Sequence, residues 1–480
     1  MARRTKIVAT LGPASSEPRQ LDALLRAGVD VVRLNLSHSN VAEHLDRLRA
    51  VREASVRVGR HVAVLADLPG PKVRSGVFPD GGAYLAEGSL IRLSPGIGGC
   101  TSETISVDYP SLVGDLRDGD KVILGDGAIT LRVEELTSVA AIARVESGGR
   151  VQGRPGVHIP AERLRLKAPT EEDLELLHVM AGADVDFAAV SFVRSASDLL
   201  VVRDALGGNG KGPRLVAKIE TAPAIDDLDR ILLVADAVMV ARGDLGIECP
   251  LEDVPHLQKK IIRACVAAGV PVITATQMLE SMITAPAPTR AEVSDVANAV
   301  FDGTDAVMLS AETAIGHDPE LVVRTMARIA ERAEAEASYT QWGTRLGQVQ
   351  RGSSAQGPAR ITQALTHAAW LAATDAGADA IICCTRSGAT VRAMARYRPT
   401  PRLIGMSPDD ATVRSMTMSW GVIPQKVDEY ASTDQMVWCA IEAAVRNGLV
   451  VQGELVAVLA GAPDQSGGGA TDVLRLVRIK

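Results

Sequence analysis

Short apolar runs followed by amphipathic helical patterns recur along most of the chain before residue 338. In the helix predicted over 17–27, Leu21, Leu24 and Leu25 fall on one face, and Gly28 follows where the helix should end. The predicted strands lie at 5–10, 29–34, 61–66, 187–191, 215–219, 237–241, 270–275 and 306–309. Eight alternating strand and helix units predict a (β/α)8 TIM barrel.

The alternation stops between residues 70 and 167. Turns rich in glycine and aspartate at 118–120 and 125–127 separate short runs with the period-two pattern of strands, such as 121–124 and 129–133. We therefore expect an inserted β-rich domain that leaves and re-enters one loop of the barrel. Such a domain could close over that edge as a lid that excludes water. An insertion without a role in the site is the alternative.

The chain changes character again after the barrel. Residues 339–358 are rich in Gly, Ser and Gln without periodicity, which predicts a linker. A helix at 361–376 and strands at 380–385, 402–406, 455–460 and 473–479 predict a small α/β domain, for regulation or assembly. The predicted domains are a barrel at 1–69 and 168–338, an inserted lid at 70–167, a linker at 339–358 and a C-terminal domain at 359–480.

The composition of the 480-residue chain is typical of a globular protein, with 46% hydrophobic and 23% charged residues. A formal net charge of −7 and an aromatic content of 3% argue against nucleic acid as a partner. No membrane span or signal sequence is expected, because no apolar run is long enough and the first strand starts directly after four residues. The six cysteines lack metal-ligand spacing, which predicts buried free thiols in a reducing cytoplasm.

Polar side chains end three successive predicted strands. Lys218 and Glu220 lie at the carboxyl end of the first, Gly243 and Asp244 follow the second, and Thr276 follows the third. The carboxyl ends of parallel barrel strands meet at one edge, so these residues are expected to form a site. Two carboxylates held close together both stay ionised only with a cation between them, and hard oxygen ligands favour Mg²⁺ or Mn²⁺.

These motifs closely resemble those of pyruvate kinases. The matching segments are TKIVATLGPA at 5–14, RLNLSH at 33–38, KIE at 218–220, ARGDLG at 241–246, ATQMLESM at 275–282 and PTRAEVSD at 288–295. The resemblance runs from about residue 5 to the last predicted strand. It implies a TIM barrel with an inserted β-barrel lid and a C-terminal α/β domain. It also implies a Mg²⁺-dependent, homotetrameric enzyme of glycolysis that transfers the phosphoryl group of phosphoenolpyruvate to ADP.

Phosphoryl transfer depends on positioning and charge stabilisation, and the strand-edge residues supply both. Glu220 and Asp244 would bind Mg²⁺, while the ammonium of Lys218 would lie on the transferring phosphoryl group and the developing enolate. Arg33 would bind phosphate. Backbone amides after the second strand would bind the substrate carboxylate. Thr276 would hold that carboxylate near the methylene carbon that receives a proton.

The resemblance also assigns the nucleotide contacts to Asn35, His38 and Arg74. For His38, a hydrogen bond at a helix start is an equally weighted alternative. Ser195 replaces a Lys that many relatives carry after the fourth strand, so no direct nucleotide contact is expected from it.

Most relatives hold K⁺ with residues that match Asn35, Ser37 and Asp67, together with a Thr and a Glu. Here Leu68 replaces the Thr and Lys72 replaces the Glu. A second cation within about 4 Å of the Lys72 ammonium would be strongly repelled at reduced dielectric. We therefore expect Lys72 to substitute for K⁺. A solvated Lys72 with an incidental charge is the alternative.

A candidate effector loop follows the strand predicted at 380–385. Its hydroxyl groups and helix-start amides could converge on an anion, although a capped helix start explains the same pattern. The resemblance implies a phosphate loop for an allosteric sugar phosphate or nucleotide. The loop at 461–472, with three glycines at 467–469, departs from the usual pattern and leaves the effector open. The effector-loop residues are Thr385, Arg386, Ser387, Gly388, Ala389 and Thr390.

Two other functions account for parts of the pattern. A Mg²⁺-dependent barrel lyase or aldolase would also stabilise an enolate, but the lid and the long matched motifs count against it. A catalytically silent metabolite-binding protein is the second, and the joint retention of Lys218, Glu220, Asp244 and Thr276 counts against it.

Overall fold

The computed structural model describes residues 3–125, 127, 129–160, 163, 165–208, 212–351, 357–429, 432–461 and 471–480. The first segment of the barrel contains β1 Lys6–Thr10, α1 Pro18–Ala27, β2 Val31–Asn35, α2 Val41–Val58 and β3 Ala63–Asp67. Helix α1 buries Leu21, Leu24 and Leu25 and ends at Gly28, whose φ of 121° favours glycine. The apolar face predicted from the sequence is therefore confirmed.

The inserted domain is a separate β-sheet domain. It contains β4 Ala83–Leu85, β5 Leu90–Pro95, β6 Thr104–Val107, α3 Leu112–Asp115, β7 Lys121–Leu124, β8 Ile129–Leu136, β9 Ala141–Ser147, β10 Gly149–Val151 and β11 Val157–His158. A six-stranded sheet runs in the order β11-β7-β8-β9-β5-β6, and β4 pairs with β10. Bridges from Arg74 to Gly156 and from Ser75 to Val107 join the two edges around a separate apolar core. The β-rich insertion predicted from the sequence is therefore confirmed as a separate sheet domain.

The barrel resumes after the insertion. Its second segment contains α4 Glu171–Gly182, β12 Phe187–Val190, α5 Ala196–Ala205, β13 Arg214–Ile219, α6 Ala222–Asp226, α7 Leu228–Val234, β14 Ala237–Ala241, α8 Arg242–Glu248, α9 Val254–Ala268, β15 Val272–Ala275, α10 Arg290–Asp302, β16 Ala306–Leu309, α11 Ala311–Ala314 and α12 Pro319–Glu336. Eight parallel strands close in the order β1-β16-β15-β14-β13-β12-β3-β2, which confirms the predicted TIM barrel.

Capping boxes begin two of the barrel helices at the positions indicated by the sequence. Thr170 caps α4 and exchanges hydrogen bonds with Asp173, and Thr289 caps α10 in the same way with Glu292. Each cap satisfies backbone N–H groups at the helix start and typically contributes about 1 kcal/mol.

The C-terminal domain is a five-stranded α/β unit. It follows α13 Tyr339–Arg351 and contains α14 Gly357–Asp375, β17 Ala380–Cys384, α15 Ala389–Ala395, β18 Arg402–Ser407, α16 Asp410–Ser415, β19 Val422–Lys426, α17 Thr433–Arg446, β20 Leu455–Gly461 and β21 Thr471–Arg478. The strand order is β19-β18-β17-β20-β21, with β21 antiparallel to β20. Strand β19 was not predicted from the sequence. Its Pro424 is tolerated because the strand lies at a sheet edge.

The region expected to be an aperiodic linker at 339–358 contains a helix instead. Two glycines of α13 allow this helix to pack closely on aromatic side chains of α14. A Cβ atom at Gly343 would lie 2.3 Å from the Trp370 ring, and one at Gly347 would lie 2.3 Å from His367. The helix thus depends on tertiary packing that its polar, glycine-containing sequence does not reveal.

The C-terminal domain packs against the amino ends of the barrel strands. Lys6 Nζ of β1 donates to the carbonyl of Val422 at 2.8 Å, and Arg398 pairs with Asp305 at 2.9 Å in a buried position. Met418 belongs to the apolar cluster that fills the barrel interior, beside inward-facing residues such as Met239. One end of the barrel is therefore closed by the C-terminal domain, and the opposite, carboxyl edge carries the polar residues described next.

Candidate active site

Lys218 lies at the centre of the polar cluster on the carboxyl edge. Its Nζ is 2.9 Å from Glu220 Oε1 and 3.3 Å from Asp67 Oδ1, and it donates to Ser191 Oγ at 2.6 Å. Strands β13, β12 and β3 are neighbours in the barrel, so their carboxyl ends bring these residues together. The convergence of Lys218 and Glu220 at this edge agrees with the sequence prediction.

Carboxylates around Lys218 keep its ammonium charged. Burial by itself would lower the pKa of Lys218, but the negative charges of Asp67, Glu220 and Asp244 outweigh burial and raise it. Burial would likewise raise the pKa of Asp67, but Lys218 and Arg33 hold it below its usual value. Lys218 and Asp67 therefore form a charged pair at neutral pH.

Glu220 is buried, and the negative charge of Asp244 makes its ionisation still less favourable. Burial raises its pKa to about 7, Lys218 opposes the rise, and Asp244 adds to it. Glu220 Oε2 accepts a hydrogen bond from the backbone N–H of Phe192 at 2.7 Å. A divalent cation between Glu220 and Asp244 would relieve their mutual repulsion, so this pair fits such an ion. Among the described residues, no group of three or more His, Cys, Asp or Glu side chains could hold a metal.

Arg33 is anchored at the end of β2 beside this pair. Its Nε donates to Asp67 Oδ2 at 2.6 Å, and its Nη1 donates to Thr10 Oγ1 at 3.0 Å. Asp67 therefore holds both Arg33 and Lys218, which places two permanent cations at the same edge. Their hydrogen bonds to protein acceptors fix their orientation before any substrate binds.

Thr276 is held in a sparsely populated backbone conformation. Its φ is 68° and that of Gln277 is 53°, both in the left-handed region. Thr276 Oγ1 accepts from the Gly243 backbone N–H at 3.0 Å and donates to the Ala275 carbonyl at 2.7 Å. The Thr276 hydroxyl and the first turn of α8 are thus in direct contact, as expected if both bind the same substrate group.

Arg242 maintains this conformation and was not assigned a role from the sequence. Its guanidinium donates to the carbonyls of Ala275 and Thr276 and pairs with Asp295 at 2.7 Å. These contacts tie Arg242 to the backbone at the left-handed residue Thr276.

The inserted domain reaches over this edge of the barrel. A cleft of about 190 Å³ lies between Lys72, Arg74 and His158 on the insertion side and Phe192 and Asp244 on the barrel side. Residues of the insertion and of the strand edge therefore line one cleft.

The residues predicted to surround a monovalent cation also meet here. Lys72 Nζ donates to Ser37 Oγ, and Asn35 Oδ1 accepts from the Ser37 backbone N–H at 3.2 Å. Asn35 pairs with Asp67 across β2 and β3, while Leu68 is buried at 1% exposure. Burial of its ammonium, followed by the positive charges of Lys218 and Arg74, lowers the pKa of Lys72. The residue as a whole is exposed to solvent, which weakens these effects.

Two family models match the chain: "Pyruvate kinase, barrel domain" over residues 2–323 and "Pyruvate kinase, alpha/beta domain" over residues 363–477. The chain belongs to the pyruvate kinase family. Pyruvate kinase of Geobacillus stearothermophilus is 42% identical over 468 residues, which is 96% of this chain and 78% of that relative. That of Clostridium acetobutylicum is 38% identical over 99% of both chains. That of Methylorubrum extorquens is 39% identical over 99% of this chain and 97% of the relative.

Membership of the pyruvate kinase family makes the protein a phosphotransferase with a known domain plan. The predicted nucleotide residues Asn35, His38 and Arg74 lie at the ends of β2 and at the base of the insertion. Burial, followed by the charges of Lys72 and Arg74, lowers the pKa of His38. His38 is therefore neutral at pH 7. Its backbone carbonyl contacts His44 Nε2 at 2.6 Å.

Ser195 of this pyruvate kinase family member lies at the N-cap of α5. Its backbone N–H donates to Asp198 at 3.0 Å, and its hydroxyl is 2.6 Å from that of Ser197. Both contacts are local to the start of the helix.

The candidate effector loop has the geometry of a tight turn before α15. Gly388 has a φ of 76° and its N–H donates to Thr385 Oγ1 at 2.9 Å. Thr390 Oγ1 lies 2.6 Å from Thr471 Oγ1, at the start of β21. Residues 462–470, and with them the glycines at 467–469, lie outside the described residues.

All six cysteines are free thiols, of which Cys249 and Cys439 are partly exposed and the others buried. Over the described parts of the chain, no helix is long and apolar enough to cross a membrane.

Proposed function

We propose that the protein transfers the phosphoryl group of phosphoenolpyruvate to ADP, giving pyruvate and ATP. The observation that carries this proposal is the position of Lys218, which lies between the buried carboxylates of Asp67 and Glu220 at the carboxyl edge of the barrel. Membership of the pyruvate kinase family supports it.

Lys218 supplies the positive charge at the reacting centre. Its raised pKa keeps it protonated, so it stabilises the negative charge that develops on the enolate oxygen as the phosphoryl group leaves. Arg33 binds the phosphoryl oxygens from the side of β2. Because Asp67 orients both cations, little reorganisation is needed when substrate binds.

Glu220 and Asp244 hold Mg²⁺, or Mn²⁺ in its place. The ion, when bound, neutralises phosphate and carboxylate charge and orients the oxygens of the substrate. The amides at Gly243 and Asp244 and the hydroxyl of Thr276 bind the substrate carboxylate. Thr276 also stands near the methylene carbon of the enolate, where its hydroxyl can relay the proton that completes pyruvate.

ADP binds between the barrel and the insertion. Asn35, neutral His38 and Arg74 contact its phosphates, and Arg74 brings positive charge from the insertion side of the cleft. Closure of the lid excludes water, which protects the transferring phosphoryl group from hydrolysis.

The enzyme needs no K⁺. The ammonium of Lys72 occupies the region bounded by Asn35, Ser37 and Asp67, and its hydrogen bond to Ser37 fixes it there. A positive charge is therefore present without a bound monovalent ion, and the buried Leu68 offers no oxygen to one.

At the level of the whole protein, we propose a cytoplasmic homotetramer of glycolysis under allosteric control. Free, mostly buried thiols suit a reducing compartment. A sugar phosphate or nucleotide binds the effector loop, where Gly388 makes a left-handed turn before α15.

A coupled assay tests the proposed reaction. Purified enzyme is mixed with phosphoenolpyruvate, ADP and Mg²⁺, and pyruvate is reduced by lactate dehydrogenase while NADH absorbance is followed. We expect turnover that requires ADP and Mg²⁺ and yields one ATP per pyruvate. Pyruvate without ATP would favour a lyase, and no turnover at any metal concentration would favour a silent binding protein.

A further inference from the structure

Strands β12 and β13 are held at both ends by polar contacts. At their carboxyl ends, Ser191 accepts from Lys218, and the Phe192 N–H donates to Glu220. These are the contacts of the candidate active site. The amino ends of the same two strands contact the C-terminal domain instead, through side chains next to the effector loop.

The amino end of β13 is attached to the effector loop itself. Arg214, the first residue of β13, donates through Nη2 to the Ser387 carbonyl at 2.7 Å. Arg392 of α15 donates to the same carbonyl at 3.1 Å. A Cβ at Gly388 would lie 3.0 Å from Arg392 Nη1 and 3.8 Å from Arg214 Nη2. The peptide of Ser387 and Gly388 therefore lies against the guanidinium groups of both domains.

The amino end of β12 is attached to the helix that supports this loop. Arg414 of α16 donates to Asp186 and to Asp184, each at 2.6 Å. Asp186 directly precedes β12, and its other oxygen accepts from the Val64 N–H at 2.7 Å. On the same helix, Thr412 Oγ1 donates to the Arg386 carbonyl at 2.8 Å. Loop and helix thus form one unit with two attachments to the barrel.

We propose that Arg214 couples the effector loop to the active site: a change in the Ser387–Gly388 peptide shifts β13 and thereby the positions of Lys218 and Glu220. Arg214 and Lys218 are four residues apart on one strand, roughly 13 Å at about 3.3 Å per residue. A barrel strand paired on both sides is stiff, so a displacement at one end reaches the other. Arg214 is a positioning residue, since it touches neither reacting group.

The proposal depends on the proposed function in one respect, namely that the loop binds an effector. The coupling itself is reciprocal, because any ligand that shifts the Lys218 end must also act on the loop. It can therefore be tested from the active-site side, without knowledge of the effector.

The test uses hydrogen exchange of the full-length enzyme with and without Mg²⁺ and oxalate, a dicarboxylate that resembles the enolate of pyruvate. Exchange of peptides covering 385–392 is compared in the wild type, Arg214→Gln and Arg203→Gln. Arg203 is a matched control because it lines the same cavity of about 560 Å³ and shares the Asp236 carboxylate with Arg214, but its own hydrogen bonds go to Val234 and Asp236 rather than to the Ser387 carbonyl.

We expect oxalate with Mg²⁺ to change loop exchange about fivefold or more in the wild type and in Arg203→Gln, and to leave it unchanged in Arg214→Gln. An equal response in all three proteins would overturn the proposal, as would loss of the response in Arg203→Gln or no response in the wild type. Should Arg214→Gln fail to fold, Arg214→Lys replaces it. We expect a reduced response from that variant, and a full response would count against Arg214.

A second arm separates this proposal from the effector site. A sugar phosphate and a nucleoside monophosphate are added while half-saturation by phosphoenolpyruvate is measured. If neither shifts the wild type, the effector loop is refuted as a ligand site, and the oxalate experiment still decides the coupling. If one does, Arg214→Gln should bind it but lose the shift in half-saturation.

Discussion

Replacing Lys218 by Met removes the central cation of the candidate active site while keeping a side chain of similar length. In the structure, Lys218 Nζ faces Glu220, Asp67 and Ser191 within 3.3 Å. Loss of one preorganised group that stabilises transition-state charge lowers kcat by about 10²-fold to 10³-fold, or roughly 3–4 kcal/mol. We expect at least this loss in Lys218→Met, since Arg33, the other cation bound to Asp67, cannot take the position of Lys218 without leaving that carboxylate.

The same substitution alters stability in a pH-dependent way. The pKa of Glu220, raised by burial to about 7, lies above the ordinary value of 4.5, so its ionisation in the folded protein is unfavourable. The stabilisation that comes from protonated Glu220 is therefore fully present below about pH 4.5, and it is lost as the pH rises through 7. Without Lys218 the pKa rises further, and the fall continues above pH 7. The melting temperature of Lys218→Met should thus lie further below wild type at pH 8 than at pH 6.

The assay measures kcat by the lactate dehydrogenase coupling and melting by circular dichroism at both pH values. Lys259→Met serves as the control, because Lys259 pairs with Asp302 on the outer helices of the barrel. Unchanged turnover in folded Lys218→Met would remove Lys218 from the mechanism. An equal melting difference at both pH values would refute the account of Glu220.

Three further predictions concern the metal, the monovalent cation and the effector. Glu220→Gln and Asp244→Asn should each raise the half-saturating Mg²⁺ concentration by about tenfold or more. The affinity of the wild type for Mg²⁺ should increase between pH 6 and 8 as Glu220 ionises. Equal half-saturating Mg²⁺ in the wild type and both variants would place the ion elsewhere. Wild type should be fully active in K⁺-free buffer containing tetramethylammonium, whereas Lys72→Glu should need added K⁺; a wild type that is inactive until K⁺ is added would contradict this role for Lys72. A phosphorylated metabolite should shift the phosphoenolpyruvate saturation curve through the loop at 385–390, and Gly388→Val should abolish that shift, because a side chain there meets Arg392 and adopts an unfavourable φ.

The barrel could be predicted because each of its strands is a short apolar run, and because the edge residues Lys218 and Glu220 lie at the carboxyl end of one of them. Other features depend on contacts between distant parts of the chain. The bonds of Asp67 to Arg33 and Lys218 arise only when β3 pairs with β2 on one side and with β12, the neighbour of β13, on the other. No local pattern encodes such distances.

Local sequence was also insufficient where packing overrides propensity. Helix α13 contains Gly343 and Gly347, which weaken a helix in isolation but admit the rings of α14. The left-handed backbone of Thr276 likewise requires Arg242, whose hydrogen bonds to neighbouring carbonyls come from another strand end. In both cases tertiary contacts stabilise a conformation that the residues do not prefer by themselves.

The position of Met418 inside the barrel has a consequence for biosynthesis. The ribosome releases all eight barrel strands, the last ending at Leu309, well before it releases the residue that fills their amino-end opening. A nascent barrel therefore exposes apolar side chains such as Met239 and Met308 until the C-terminal domain emerges. Translation pausing beyond Leu309 would prolong this exposure, and chaperone binding to stalled chains should end once the segment around Met418 has left the exit tunnel.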